Sequence, residues 1–287
     1  MARILVTGAG GFIGRALVRA LVATGHRVIE VPRSCGDVVD STTWVKLPRT
    51  DHVFHLAGRS YVPDSWRDPA SFINTNVGGT ARALDYCRKH DAHLVFASAY
   101  VYGMPRRLPI REDDPVEPNN PYALSKVLAE HACEFYAKNM NVPVTVIRPF
   151  NIFGPGQRRE FLIPAIIEQV LKGGVVHVKD FSPRRDYLNL DDLVNALMMA
   201  LSKPQGYRVF NIGSGISYSV RETIDIIQTA ACTQWPITSD AEPRISEIPD
   251  VRADISRARA ELDWQPSYTF AEGIKRLVCA GRVLDGD

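Results

Sequence analysis

Residues 2–25 read ARILVTGAGGFIGRALVRALVATG, and this stretch decides the fold. Ile4, Leu5 and Val6 form a short apolar run of the kind a strand buried on both faces requires. Thr7-Gly8-Ala9-Gly10-Gly11-Phe12-Ile13-Gly14 is a glycine-rich turn. From Phe12 to Leu21 apolar residues then recur at helical spacing, until Gly25 closes the helix. Strand, glycine turn and helix make the first half of a βαβ unit that binds a dinucleotide. A side chain on the turn would hold the backbone away from a pyrophosphate. Free N–H groups at the positive end of the helix dipole attract that anion.

Composition sets the limits. A chain of 287 residues has room for one large α/β domain or two intimate ones. A formal charge of +2 gives no reason to expect a nucleic-acid or membrane partner. The N-terminal apolar run is too short and too glycine-interrupted for a signal peptide, and no stretch approaches a spanning length, so a cytoplasmic protein is expected. Cys35, Cys87, Cys133, Cys232 and Cys279 are scattered without a CxxC pair and read as reduced thiols; no metal is expected.

The glycines are spaced as TGxxGxxG, which resembles the extended short-chain dehydrogenase/reductase family of nucleotide-sugar epimerases, dehydratases and reductases. Further segments carry the resemblance along the chain. Gly36-Asp37-Val38-Val39-Asp40 is similar to the family's GDxxD element after a third strand, where Asp37 and Val38 would lie beside adenine. Asp51 to Gly58 is similar to its HLAG strand, which places Leu56, Ala57 and Gly58 near pyrophosphate and ribose. His55 within it reads as a hydrogen-bonded structural histidine. The resemblance thus implies a cofactor site of Gly8, Gly10, Gly11, Phe12, Ile13, Gly14, Arg33, Ser34, Asp37, Val38, Leu56, Ala57, Gly58, Asn76, Tyr122 and Lys126. For Asn76 two readings stand, a role at the active-site helix or a plain structural hydrogen bond.

Which dinucleotide is bound turns on the end of the second strand, His26 to Val31. An NAD-preferring protein usually ends it with an acid that holds the ribose hydroxyls. Here Pro32, Arg33 and Ser34 follow, and the guanidinium fork of Arg33 suits a 2′-phosphate. NADP is therefore expected ahead of NAD, with Glu30 the competing ribose ligand and a solvated Arg33 the competing reading. Ser60 to Pro69 reads as a loop on the rim, and Asn74 to Lys89 as a long helix.

The chemistry is expected on the next helix, which Asn120 caps and Pro121 begins. Tyr122 and Lys126 lie one turn apart on one face of it. An ammonium below a phenol favours the phenolate and lowers the tyrosine pKa, as proton transfer requires. A YxxxK pair alone is common. Its order after TGxxGxxG, HLAG and a strand-end serine before Val101-Tyr102-Gly103 is what matches the family, and it implies Ser98, Tyr122 and Lys126 as the catalytic set. Sugar 4,6-dehydratases of the family carry Asp-Glu after that serine. Ala99 and Tyr100 stand there instead, which disfavours dehydration.

In the second half, 144–157 is similar to the family's RPFNxxGPGQ, and 184–192 to its RDYxxVxD. The match assigns Asn151, Arg185 and Arg244 to a substrate diphosphate and Glu247 to a nucleoside ribose, with Ser98 on the reacting oxygen. Asp191 or Asp192 reads as the cap of a following helix. The expected fold is α/β, a Rossmann-type doubly wound parallel sheet with a smaller C-terminal substrate lobe. Residues 1–150 form the dinucleotide domain, 178–213 return to it, and 151–177 with 214–287 form the lobe. The implied activity is NAD(P)-dependent hydride transfer on a nucleoside-diphosphate hexose at C4. A 4-keto-hexose reductase leads, a 4-epimerase with retained NAD is the alternative, and a non-catalytic dinucleotide sensor a remote third. A homodimer through helices 76–89 and 122–139 is expected by analogy.

Overall fold

The quoted stretch forms β1 (Arg3–Thr7) and α1 (Phe12–Ala23) in the computed structural model, which describes residues 1–202, 205–241 and 247–284. Along β1, Ile4 and Val6 pack with Leu17 and Leu21 of α1 on one side of a sheet, and Leu5 packs on the other. Gly25, at φ +81°, turns the chain into β2 (Arg27–Val31), parallel to β1. The next pairing strand is β3 (His52–His55), on the far side of β1.

Two expectations fail in this region. Gly36 to Asp40 does not follow a third strand: among the described residues, only a 3-10 turn at Arg33–Cys35 and the short α2 (Ser41–Val45) lie between β2 and β3. That segment has no apolar run for a sheet to bury, and Trp44 instead tucks under the sheet, with its ring N–H donating to the Val38 carbonyl at 2.8 Å. Ser60 to Pro69 is not a loop throughout, since α3 (Val62–Arg67) and α4 (Pro69–Ile73) occupy it. The two prolines sit in first helical turns, where a missing N–H costs nothing, and the Asp68 carboxylate caps α4 by accepting from the Ser71 N–H at 3.2 Å. The long helix therefore begins early, runs through a wide π-helical turn at Asn74–Gly78 and continues as α5 (Gly79–His90).

Then come β4 (His93–Ala97), α6 (Pro121–Asn139) and β5 (Val144–Pro149). After β5 the chain leaves the main sheet through β6 (Asn151–Phe153), α7 (Leu162–Lys172), β7 (Val176–Val178) and β8 (Arg184–Asn189). It comes back through α8 (Leu190–Met199) and β9 (Tyr207–Ile212), and leaves again through β10 (Ser217–Ser219), α9 (Val220–Ala231) and β11 (Ile237–Ser239). The chain closes with α10 (Ser256–Leu262) and α11 (Phe270–Leu284). The main sheet has the order β2-β1-β3-β4-β5-β9 with every pair parallel, and its order reverses between β1 and β3. Ligands bind at such switch points, outside the carboxyl ends of the strands.

Smaller sheets, β10-β8-β6 and β11-β7, build the second lobe over a core of Phe153, Ile166, Ile224 and Ile274. The return to the main sheet is thus narrower than 178–213. Strand β8 pairs with β6 and β10, and only 190–212 goes back. The helix after β8 is capped by Asn189, whose side-chain oxygen accepts from the Asp191 N–H at 2.8 Å, and not by either aspartate. Asp192 is buried and accepts from the N–H groups of Ser267 and Tyr268, at 2.8 and 3.2 Å, tying the C-terminal loop to α8.

The two faces of the main sheet hold most of the core. Fully buried side chains such as Leu5, Val53, Phe54, Leu94 and Val146 each contribute roughly 1.5–3 kcal/mol. No helix among the described residues is long and apolar enough to cross a membrane. At Gly14 an added Cβ would lie 2.1 Å from the Gly8 carbonyl oxygen; at Gly10 it would meet open space. Gly14→Ala is therefore expected to lower the unfolding free energy by about 1–3 kcal/mol, and Gly10→Ala to stay within about 0.5 kcal/mol of wild type. Urea unfolding of both variants checks this; equal losses would contradict the packing.

Candidate active site

The carboxyl ends of β1, β3, β4 and β5 lie along one edge of the parallel sheet, and the glycine turn follows the first of them. Gly8 takes φ +69°, and its backbone passes so close to β3 that a Cβ would lie 2.8 Å from the Ala57 nitrogen. Its carbonyl accepts from the Gly11 N–H at 2.9 Å. Gly11 is the N-cap of α1, no side chain bonds to that helix end, and no acid lies in its first turn. A bare helix N-terminus beside the open face of Gly10 fits an anionic diphosphate. Thr7 clamps the neighbouring strand: its hydroxyl accepts from the Ala57 N–H at 3.3 Å and bonds the His55 ring at 2.8 Å. Burial pushes the His55 pKa down to about 3, so that ring stays neutral.

Around this turn the sequence-predicted cofactor residues divide. Arg33, Ser34 and Asp37 are exposed just beyond β2, while Phe12, Ile13, Leu56 and Ala57 are half-buried and Gly58 is exposed. Val38 is different, because its side chain is buried beside Gly79 and Trp44 and belongs to the core. Asn76, in the π-helical turn, is also buried. It accepts from the Arg59 N–H at 2.8 Å, donates to the Arg59 carbonyl at 3.0 Å and donates to Ser125 Oγ at 2.8 Å. Its amide thus ties the exit of β3 to α6, a structural use of the side chain.

Asn120 caps α6 by accepting from the Ala123 N–H at 2.9 Å, and Pro121 begins the helix. This places Tyr122 and Lys126 at the end of β4. The Tyr122 ring lies edge-on to Phe72, with centroids 6.3 Å apart. Lys126 is buried; its Nζ donates to the Ala97 carbonyl at 2.8 Å and sits 4.8 Å over the Phe96 ring. Burial draws the lysine pKa down from 10.5 to about 8, against the opposing pull of Glu130 and Cys133. The Tyr122 phenol moves opposite to expectation. Burial raises its pKa, because the ammonium is bonded to the Ala97 carbonyl and does not offset the loss of water.

Ser98 stands at the end of β4, its N–H donating to the Ile147 carbonyl at 2.8 Å. Its hydroxyl donates to Glu130 Oε1 at 2.5 Å. Glu130, one turn beyond Lys126, is held by Arg148 of β5 through Nη2–Oε2 at 2.6 Å and Nε–Oε1 at 3.0 Å. Arg148 Nη1 donates to the Tyr102 hydroxyl at 2.8 Å, and that hydroxyl donates to Asn211 Oδ1 at 2.6 Å. Sequence reasoning missed this chain. Its one signal was spacing, since Glu130 continues the every-fourth-residue row of Tyr122 and Lys126.

On the second lobe, Arg185 and Glu247 are partners: the guanidinium bonds the carboxylate and also donates to the Ile248 carbonyl at 2.7 Å. Asn151 donates to the Asp186 carbonyl at 3.3 Å. Arg244 lies outside the described residues. Asp186 itself was unforeseen. It is buried and gathers the N–H groups of Ser214, Gly215 and Ala253 and the Ser214 hydroxyl at 2.6–3.0 Å, which pins the loops behind Arg185. Tyr100, in place of a dehydratase carboxylate, donates to the Gly103 carbonyl at 2.6 Å, and burial raises its pKa.

Comparison with known proteins follows the same outline. The family model for the NAD dependent epimerase/dehydratase family matches residues 4–213. The GDP-6-deoxy-D-mannose reductase of Pseudomonas aeruginosa is 33% identical over 298 residues, covering 96% of each chain. The UDP-glucose 4-epimerase of Mycolicibacterium smegmatis is 33% identical over 308 residues, covering 96% of this chain and 97% of its own. The solved structure of RMD from Pseudomonas aeruginosa complexed with NADPH superposes with a TM-score of 0.90 at 30% identity, covering 97% and 98% of the two chains.

The buried lysine makes a prediction of its own. Between about pH 8 and 10.5 the unfolded chain keeps a proton on Lys126 that the folded chain has shed, so stability rises with pH through that window. Wild type is expected to gain stability relative to Lys126→Met as pH increases there. Urea unfolding of both proteins across the window checks it, and a difference independent of pH would contradict the burial argument.

Proposed function

The chain belongs to the NAD-dependent epimerase/dehydratase family and is an NAD(P)-dependent enzyme of nucleotide-sugar modification; within that class we propose that it reduces a nucleoside-diphosphate 4-keto-hexose with NADPH. The observation that carries this reading is the end of β2, where exposed Arg33 and Ser34 stand in place of a ribose-binding acid. A 2′-phosphate suits that pair, and an exchangeable reductant suits net reduction. The likeness to a reductase and to an NADPH complex supports it. Equal identity to a UDP-glucose 4-epimerase is what favours the second reading, epimerisation with retained NAD.

In this reading Gly8, Gly10, Gly11, Phe12, Ile13 and Gly14 hold the dinucleotide diphosphate, with Asp37 and Val38 backbone beside the adenine. Leu56 to Gly58 and Lys126 serve the riboses. The bound dinucleotide supplies a hydride to C4. Tyr122 gives its phenolic proton to the C4 oxygen, and the burial that raises its pKa keeps that proton in place until the carbonyl is reduced. For Lys126 to serve the tyrosinate as counter-charge, its ammonium turns from the Ala97 carbonyl toward the phenol. Ser98 orients the reacting oxygen. Asn151, Arg185 and Arg244 take the sugar-nucleotide diphosphate, with Glu247 on the ribose, so substrate arrival replaces the Arg185–Glu247 pairing. The second lobe, with β8 counted in it, carries this site. Leu124, Leu128 and Phe135 leave an apolar stripe exposed on α6, which supports a homodimer built on that helix.

With NADPH and a panel of nucleoside-diphosphate 4-keto-hexoses, wild type is expected to oxidise NADPH. Tyr122→Phe should lose turnover by about 10³-fold or more, with NADPH affinity within about threefold. An active Tyr122→Phe protein would overturn the assignment.

A further inference from the structure

The Tyr122 ring is aimed by packing alone. Among the described residues no hydrogen bond reaches its hydroxyl, and the Lys126 ammonium one turn on is bonded to the Ala97 carbonyl. The ring packs with Ala99, Val101 and Val127, and Phe72 of α4 meets it edge-on, with centroids 6.3 Å apart and planes at 79°. A phenol that delivers a proton to one oxygen must hold one direction. A misplacement of about 1 Å costs on the order of a hundredfold in rate.

We propose that Phe72, backed by Arg59, is a positioning residue for the reaction: its ring fixes the direction in which the Tyr122 phenol points. The proposal rests on the reading of Tyr122 as the proton donor. Phe72 is 1% exposed, although the helix that carries it is a single short turn at the surface. The Arg59 guanidinium lies over its ring, 4.7 Å from the centroid. That guanidinium is itself fixed, donating to the Asp68 carboxylate at 3.3 Å and to the Ser71 hydroxyl. Asp68 is also the cap of α4, so the clamp on Arg59 and the start of the helix that presents Phe72 are one arrangement.

Arg59 reaches Tyr122 by a second route as well. Its backbone N–H and carbonyl are both bonded to the Asn76 side chain, Asn76 donates to Ser125 Oγ, and the Ser125 hydroxyl donates to the Tyr122 carbonyl at 2.7 Å. The side chain of Arg59 thus backs the ring that meets the phenol, and its backbone is tied to the main chain of the same tyrosine. Asn76 lies in the π-helical turn that follows α4, and wide turns of this kind gather at functional sites. An aliphatic side chain at position 72 would fill the volume. It would lack the polarised edge and face through which two aromatic rings fix each other's orientation.

Phe72→Leu tests the assignment, with Phe210→Leu making the same change in an equally buried ring of β9. The single-turnover rate of NADPH oxidation by a saturating 4-keto-hexose nucleotide is expected to fall about tenfold in Phe72→Leu, with sugar-nucleotide KM and NADPH Kd within about threefold. Phe210→Leu is expected to lose thermal stability to a similar extent and to keep the rate within about twofold of wild type. A wild-type rate in Phe72→Leu, or the same rate loss in both variants, would overturn the proposal, since a loss shared with Phe210→Leu reports general loosening of the core. If Phe72→Leu is unfolded at assay temperature, Arg59→Met replaces it, because that side chain is 39% exposed and its removal only withdraws the backing of the ring. Its rate is expected to fall about threefold with KM and Kd unchanged, and an unchanged rate overturns the proposal. Tyr122→Phe run in parallel separates the failures. If it keeps activity, the reading of the site falls; if it is inactive while Phe72→Leu keeps the wild-type rate, only the role of Phe72 falls.

Discussion

Gly14 on α1 lies so near the Gly8 carbonyl that any side chain would collide with it, and the cofactor half of the molecule depends on this contact. Pressed against the end of β1, the helix points its unsatisfied N–H groups into the turn and not past it. The turn in turn lies against Ala57, so β1 and β3 end side by side at the point where strand order reverses. One close approach between two backbones thus fixes the glycine turn at the point where strand order reverses.

The catalytic half depends on a second arrangement, a single helix carrying groups whose charges balance in the absence of water. Tyr122, Lys126 and Glu130 follow at every fourth residue of α6. Burial alone would neutralise Lys126, and the carboxylate one turn on opposes it. Burial also holds the proton on Tyr122, which suits an acid more than a base.

Much of this was legible in the residues. The glycine spacing, the apolar run of Ile4 to Val6 and the capped start at Asn120 and Pro121 each carry a local reason for their conformation, and the parallel sheet follows from them. What was not legible depended on partners distant in the chain. Ser60 to Pro69 read as a loop, because a sequence does not reveal whether a proline ends a helix or starts one. Asp191 and Asp192 looked like caps, yet Asn189 takes that role because Asp192 is drawn to Ser267 and Tyr268, far along the chain. Ser98 and its Glu130–Arg148 support come from β4, α6 and β5, which pattern alone does not bring together. The direction of the Tyr122 shift likewise required knowing where the Lys126 ammonium points.

The central claim is net reduction with an exchangeable NADPH, and the dinucleotide that stays with the purified protein tests it most directly. The protein would be denatured and any released dinucleotide identified and quantified by mass spectrometry. The account predicts far less than one equivalent released, together with tighter binding of NADPH than of NADH by the intact protein. Near-stoichiometric NAD would contradict it, since a cofactor that is oxidised and reduced within one turnover is what epimerisation requires.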